Sequence, residues 1–175
     1  MKYSIISACT REGGIGLNNQ IPWKIPGEMV MFKKITSQTI ENEKMNAVIM
    51  GRKTWETIKD KPLNNRINIV ITSEPNKISQ NLHIKAFNNI QDAFLFCETS
   101  FHIEKVFVIG GEQLYNLCLQ NNLIHSLQEI HLSILRKHYG CNRYINLKYI
   151  LQHFQYNMKD IVFTDEFIYI KFTNK

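Results

Sequence analysis

The sequence predicts an α/β fold, with a mixed, mostly parallel central sheet, helices on both faces and a C-terminal antiparallel hairpin. Three observations predict it. Short apolar, β-branched runs alternate with helically spaced segments through the first two-thirds of the chain, as in a sheet wound with crossover helices. One of those runs, 106–109, is apolar without interruption, as a buried strand reads. The last two runs flank a polar Thr164-Asp165-Glu166 turn, which fits an antiparallel hairpin at one edge.

The elements follow in order. Residues 3–9 form an apolar opening strand. Residues 28–35 form a helix behind Pro26-Gly27, since proline suits a helix entry. The short run 47–50 ends at Gly51, and a short helix covers 53–58. Residues 67–72 are rich in Ile and Val, and 82–87 make a weaker strand. Segments 90–97 and 113–120 carry apolar residues at helical spacing. Between them, 106–109 is an uninterrupted apolar run ending at Gly110-Gly111. Residues 129–135 alternate, and 161–163 with 167–172 make the closing hairpin. No repeat, low-complexity tract or Pro/Gly/Ser linker interrupts the 175 residues, so a single domain over 1–175 is expected. Open α/β sheets bind ligands beyond the carboxyl ends of their strands, so functional residues are expected just after strands.

Composition narrows the partners. A 44% hydrophobic and 21% charged chain is not disordered. No apolar run is long enough to span a membrane, and the opening strand is too short for a signal-peptide core. A cytoplasmic location is therefore expected. The net charge of +6, from 21 basic and 15 acidic residues, favours anionic partners. The basic residues are dispersed, which favours small anionic ligands over nucleic acid, although a basic surface with no specific partner stays open. Cys9, Cys97, Cys118 and Cys141 form no CxxC pair, and the histidines show no ligand spacing, so free thiols and no metal are expected.

Three constellations follow strands. Val106-Phe107-Val108-Ile109-Gly110-Gly111-Glu112 runs from strand through two glycines into the helix that holds Tyr115. Free N–H groups at a helix start favour a phosphate, and glycine lets one approach. This is not the GxGxxG fingerprint, and a tight turn without a ligand explains the glycines equally well. Met50-Gly51-Arg52-Lys53-Thr54-Trp55-Glu56 repeats the arrangement with two cations and a hydroxyl. It is not a P-loop, because lysine follows arginine rather than glycine; a solvated basic helix start is the plainer alternative. Two anion sites after two strands suit a dinucleotide. The third constellation is the loop 10–27, whose about 18 residues exceed the usual connection and suit an active-site lid. It ends at Pro22-Trp23 and Pro26, just before Glu28. Glu28 and Phe32 share a helix face, so a carboxylate beside an aromatic can seat a flat ring bearing N–H donors. On spacing alone, Glu28 reads more simply as a first-turn acid.

In order along the chain, Ile15-Gly16, Ile21-Pro22-Trp23, Glu28 with Phe32-Lys33, Met50-Gly51-Arg52-Lys53-Thr54-Trp55, Pro62-Leu63 with Arg66, and Ile109-Gly110-Gly111 with Tyr115 resemble dihydrofolate reductase. The resemblance implies NADPH-dependent reduction of 7,8-dihydrofolate to 5,6,7,8-tetrahydrofolate, by hydride transfer to pterin C6 with protonation at N5. It makes Glu28 the acid that binds the pterin, Ser133 its hydroxyl partner and Trp23 the holder of a nearby water. Water delivers the proton, and the carboxylate acts electrostatically. Ile6, Ser7 and Ala8 flank the ring; Met29, Phe32, Ile58 and Leu63 pack on the pterin and benzoyl groups. Arg66 pairs with the glutamyl carboxylate, and Lys33, Ile109 and Tyr115 complete the substrate side.

On the cofactor side the resemblance places Gly51 and Thr72 among the cofactor-binding residues, and assigns Arg52 and Ser73 to the 2′-phosphate and Lys53 and Thr54 to the pyrophosphate. Gly110 and Gly111 pass close to it with a cis peptide between them, followed by Glu112, Gln113, Leu114 and Tyr115. Ala8, Ile15, Gly16 and Ile109 surround the nicotinamide. The implied partners are dihydrofolate and antifolates. A monomer is implied, unless the chain is one domain of a bifunctional reductase–thymidylate synthase. Three residues depart from the family pattern. Glu112 sets an acid beside the expected phosphate, which opposes cofactor binding if it faces the site and not if it turns away. Glu74 follows Ser73, and Asn142 stands where an acid is common. A reductase of the riboflavin-pathway type on the same fold, or a nucleotide- or RNA-binding module, would lack the joint presence of Trp23, Glu28 and Arg66.

Overall fold

In the computed structural model, which describes residues 1–58 and 61–175, the first strand lies in the middle of the sheet. β1 (Tyr3–Cys9) is flanked by β6 (Ile103–Val108) and β7 (Leu127–Leu135), both parallel to it. β3 (Met45–Gly51), β4 (Arg66–Ile71) and β5 (Ile84–Phe87) extend the parallel side outward from β6. Beyond β7, β11 (Phe167–Asn174) runs antiparallel, and its other edge takes β10 (Val162–Phe163) and β9 (Phe154–Tyr156). The order β10-β11-β7-β1-β6-β3-β4-β5 is the mixed, mostly parallel sheet with a C-terminal hairpin that the sequence predicts.

Burial explains the unbroken apolar runs. Residues 46–50 of β3 are all buried, because helices cover both faces. α1 (Pro26–Ser37) and α2 (Arg52–Thr57) cover one face, packing Phe32, Ile35, Trp55 and Ile58 near Val48, Met50, Val70 and Phe107. α3 (Ile90–Thr99), α4 (Glu112–Cys118) and α5 (Leu147–His153) cover the other, around Ile5, Ile49, Ile69 and Val108. α1 starts on Pro26 without a side-chain cap. α3 is capped by Asn89, whose Oδ1 accepts the Asp92 N–H at 2.8 Å.

Three features depart from the sequence expectations. The segment 10–27 is not a single loop: β2 (Gly14–Gly16) lies inside it and pairs antiparallel with β8 (Arg143–Tyr144). A three-residue glycine-rich strand has no hydrophobic period to read, and its partner is remote in sequence. α5 and β9 are also additional. Asn146 caps α5 by accepting the Tyr149 N–H at 3.1 Å, and Leu147, Ile150 and Phe154 carry it onto the core. The apolar pattern covers too few residues to stand out. Third, the helix expected over 113–120 runs over Glu112–Cys118, and Asn121–Ser126 tightens into 3₁₀ turns. No helix among the described residues is long and apolar enough to cross a membrane.

Candidate active site

The carboxyl ends of β1, β3 and β4, with Ile109 just after β6, open into a cavity of about 840 Å³ lined by Ala8, Gly51, Ile71 and Ile109. This is the place where an open α/β sheet binds ligands. The volume is near the top of the range of about 300–1,000 Å³ usual for small-molecule sites. Every residue the sequence nominates lines this cavity except Ser133. Ser133 is buried on β7 in register with Ala8, and its hydroxyl faces the Glu28 carboxylate from behind the wall.

Glu28 projects from the first turn of α1. Ile25, Leu135 and Phe167 form a small apolar cluster in this region, joined by Trp23, whose ring lies 5.4 Å from that of Tyr139. Burial raises the Glu28 carboxyl above its usual range, and the Ser133 hydroxyl opposes part of that rise. The floor is stiff: the buried Tyr115 hydroxyl donates to the Ile6 carbonyl at 2.8 Å. Above it, Met29 and Val30 are 59% and 68% exposed, apolar side chains with no protein over them. Both line the cavity, so a flat apolar ligand would supply the missing cover.

Arg66 stands further along the same wall. It is 4% exposed, yet no carboxylate among the described residues pairs with it. Its Nη1 donates to Thr36 Oγ1 at 2.7 Å and its Nε to the Asn64 carbonyl at 3.0 Å. The guanidinium lies 6.0 Å from the Phe32 ring centroid. Burial lowers its pKa, an effect that an incoming anion would relieve. Sequence reasoning missed the two residues that set this corner. Thr36 is wholly buried, and its hydroxyl also donates to the Phe32 carbonyl at 2.8 Å. Asn68 accepts the Leu63 N–H at 2.8 Å and donates to the Leu63 and Arg66 carbonyls at 3.1 and 3.0 Å. The legible signal was an asparagine inside an Ile/Val strand. Lys33, Ile58 and Leu63 complete this half of the wall, with Lys33 exposed at its rim.

The two anion-favouring turns converge in the other half. The Gly51 N–H donates to the Gly110 carbonyl at 2.8 Å, joining the turn after β3 to the turn after β6. Gly110 and Gly111 are linked by a cis peptide bond. Gly110 has φ +124°, and a Cβ there would lie 3.3 Å from the Tyr115 hydroxyl, so glycine is required. Thr54 Oγ1 lies 3.5 Å from where a Gly111 Cβ would sit, close enough for hydroxyl and glycine backbone to face one ligand. Lys53 and Ser73 are exposed beside this turn, while Thr72 is buried beneath it. Arg52 is paired with Glu56 on its own helix, an exposed contact that a ligand can displace.

The two acids that depart from the family pattern are both paired within the protein, Glu112 at the cavity wall itself. Glu74 pairs with Lys77 at 2.6 Å. Glu112 accepts the Tyr144 backbone N–H at 2.9 Å with one oxygen and holds Arg143 Nη1 3.4 Å from the other. Asn142 exchanges hydrogen bonds with Asn18, at 3.1 Å to its backbone N–H and 3.0 Å from Nδ2 to its side chain. Ile15 and Gly16, on β2, therefore reach the cavity on a ribbon tied at several points. Gln113 and Leu114 follow Glu112 along the wall. Asn19, Gln20 and Ile21, from the segment read as a lid, also line the cavity, as does Arg143, which the sequence did not nominate. Arg143 could be reached from sequence only by knowing that β8 pairs with β2.

Comparison with known proteins matches the sequence to a family. The family model described as dihydrofolate reductase matches residues 2–167. The chain is 34% identical over 148 residues to the dihydrofolate reductase of Heliothis virescens, covering 82% of this chain and 78% of that protein. It is 38% identical over 119 residues to the dihydrofolate reductase of Saccharomyces cerevisiae, covering 64% and 56%. It is 37% identical over 155 residues to the bifunctional dihydrofolate reductase-thymidylate synthase of Paramecium tetraurelia, covering 89% of this chain and 30% of that protein.

Proposed function

The chain belongs to the dihydrofolate reductase family of oxidoreductases, which use a nicotinamide cofactor, and from that premise we propose that it reduces 7,8-dihydrofolate to 5,6,7,8-tetrahydrofolate with NADPH. The product would serve one-carbon metabolism and thymidylate synthesis. The observation that carries the reading is the Glu28 carboxylate at the apolar end of a cavity that also presents the buried Arg66. A pterin offers paired N–H donors to the first, and a glutamyl tail offers a carboxylate to the second.

Glu28 binds the 2-amino group and ring N–H of the pterin and so fixes which face is presented. Ser133 holds the carboxylate from behind, and Trp23 closes that end of the site. Ile6, Ala8, Phe32, Ile58 and Leu63 exclude water from the ring and the benzoyl group. The proton reaches N5 by way of water, and the negative charge of Glu28 favours its arrival. When bound, the cofactor supplies the hydride delivered to C6. The residues present fit such a cofactor: Thr54 and the glycine pair converge on one side, with Arg52, Lys53 and Ser73 around them. Arg52 supports a preference for the 2′-phosphate of NADPH.

Residues 1–175 act in this reading as a single domain and a monomer with small-molecule ligands, antifolates among them. The four cysteines are free, three of them buried, which supports a reducing, cytoplasmic setting. The test is dihydrofolate-dependent oxidation of NADPH, followed by absorbance. The wild type turns over and Glu28→Ala falls on the order of a hundred- to a thousandfold in kcat/KM. A folded wild type with no dihydrofolate-dependent turnover refutes the reading.

A further inference from the structure

Glu112 leaves an electrostatic problem that a residue on a different strand answers. An acid in the first turn of α4, next to Gly110-Gly111, opposes any phosphate placed there. Its carboxylate meets Arg143 Nη1 at 3.4 Å, and the same carboxylate accepts the Tyr144 N–H at 2.9 Å. Arg143 is half exposed and lines the cavity together with Gly16, Gly110, Gly111 and Gln113. The Glu112 contact is the one hydrogen bond its side chain makes among the described residues. A guanidinium carries five N–H donors in a rigid fork, so most of its donor capacity stays open toward the cavity.

The backbone that carries Arg143 is fixed. β8 pairs with β2, with Tyr144 opposite Gly14 and Arg143 opposite Gly16. The Asn142 and Ile145 N–H groups donate to the Gly16 and Gly13 carbonyls, each at 2.9 Å. A cation anchored in this way does two things. It cancels the Glu112 charge, and it offers a planar fork to a phosphate that approaches the glycine pair.

We propose that Arg143 is a cofactor-binding residue, the cation that offsets Glu112 and completes the pyrophosphate site beside Gly110-Gly111. The assignment rests on the nicotinamide-dinucleotide reading above. It has a mechanical corollary: a phosphate drawn to Arg143 also grips β2, and with it Ile15.

Equilibrium binding tests it without turnover. Dissociation constants for NADPH, and separately for dihydrofolate, are measured by quenching of tryptophan fluorescence in wild type, Arg143→Gln and Arg143→Gln/Glu112→Gln. Arg143→Gln weakens NADPH about tenfold, the loss of one charge-assisted contact. Its affinity also declines less steeply with added salt, because one charge pair is gone. Dihydrofolate affinity stays unchanged. Removing the acid as well recovers most of the loss, to within about threefold of wild type. Arg143→Gln binding NADPH as tightly as the wild type overturns the proposal, as does an equal weakening of dihydrofolate or a double variant that recovers nothing. A folded wild type with no NADPH affinity brings down the functional reading as well, so the two failures are distinguishable.

Discussion

Two carboxylates in this molecule are displaced in opposite directions, and each sets a pH dependence of its own sign. Glu28 is raised by burial, with the Ser133 hydroxyl opposing. A carboxyl raised in the folded state contributes its stability below the unfolded value of about 4.3 and loses it as pH rises through the folded value. Ionisation of the buried Glu28 therefore costs stability, a cost that substrate recognition retains. Glu28→Gln should raise the melting temperature at pH 7 by about 1–4 °C, with the gain vanishing below about pH 4. Thermal melts across pH check this, and a Glu28→Gln variant less stable than wild type at pH 7 refutes it. Glu129 behaves oppositely. The His131 ring, with Nε2 3.2 Å away, holds its carboxyl down to about 2 against partial burial, and Lys171 at 3.5 Å adds to this. Its contribution is complete above about pH 4.3 and is lost as pH falls through about 2. Because the Glu129 side chain is 38% exposed, screening limits the loss in Glu129→Gln to about 1 kcal/mol at pH 7. Urea titrations should show that deficit closing as the pH is lowered towards 2.

At the scale of elements, the joint between α1 and β4 sets the substrate wall. The hydroxyl of Thr36 takes a donor from Arg66 at 2.7 Å while donating to its own helix at Phe32. Thr36→Val keeps the shape and removes both bonds, leaving a buried guanidinium N–H without its partner. That should cost about 2 kcal/mol in denaturant titrations and raise KM for dihydrofolate more than it changes kcat. KM and kcat changed in equal proportion would contradict a positioning role for Thr36. Most of this architecture was legible, because β3, β4 and β6 are buried on both faces and read as apolar runs ending in glycine or a polar turn. The glycine turns after β3 and β6 were legible for the same reason, whereas Glu28 stood out from a first-turn acid only through the family resemblance. What escaped were partnerships across long sequence distances. β2 pairs with β8, and α5 rests on Leu147, Ile150 and Phe154. Neither signal is periodic enough to detect locally. Ser133 lies beside the Glu28 carboxyl but outside the residues that line the cavity.

For the whole molecule, the net charge of +6 takes on a local meaning. Lys33, Arg52, Lys53, Arg66 and Arg143 line one cavity against Glu28 and Glu112, so five cations less two acids leave an excess of three positive charges where anionic ligands enter. Raising ionic strength from about 0.05 to about 0.5 M should lower kcat/KM several-fold and leave kcat nearly unchanged. A kcat/KM that is flat across this range would mean the charge is a general surface property. The position of β1 has a different consequence, in time rather than in space. Tyr3–Cys9 is synthesised well before both of its neighbours, which come from Ile103–Val108 and Leu127–Leu135. Until the chain has been delivered as far as Val108 both edges of β1 are unpaired, and the edge that β7 takes stays open until Leu135. Folding is therefore a late, non-local event in the life of the nascent chain, and a chain truncated before β7 should engage chaperones instead of settling into a stable half.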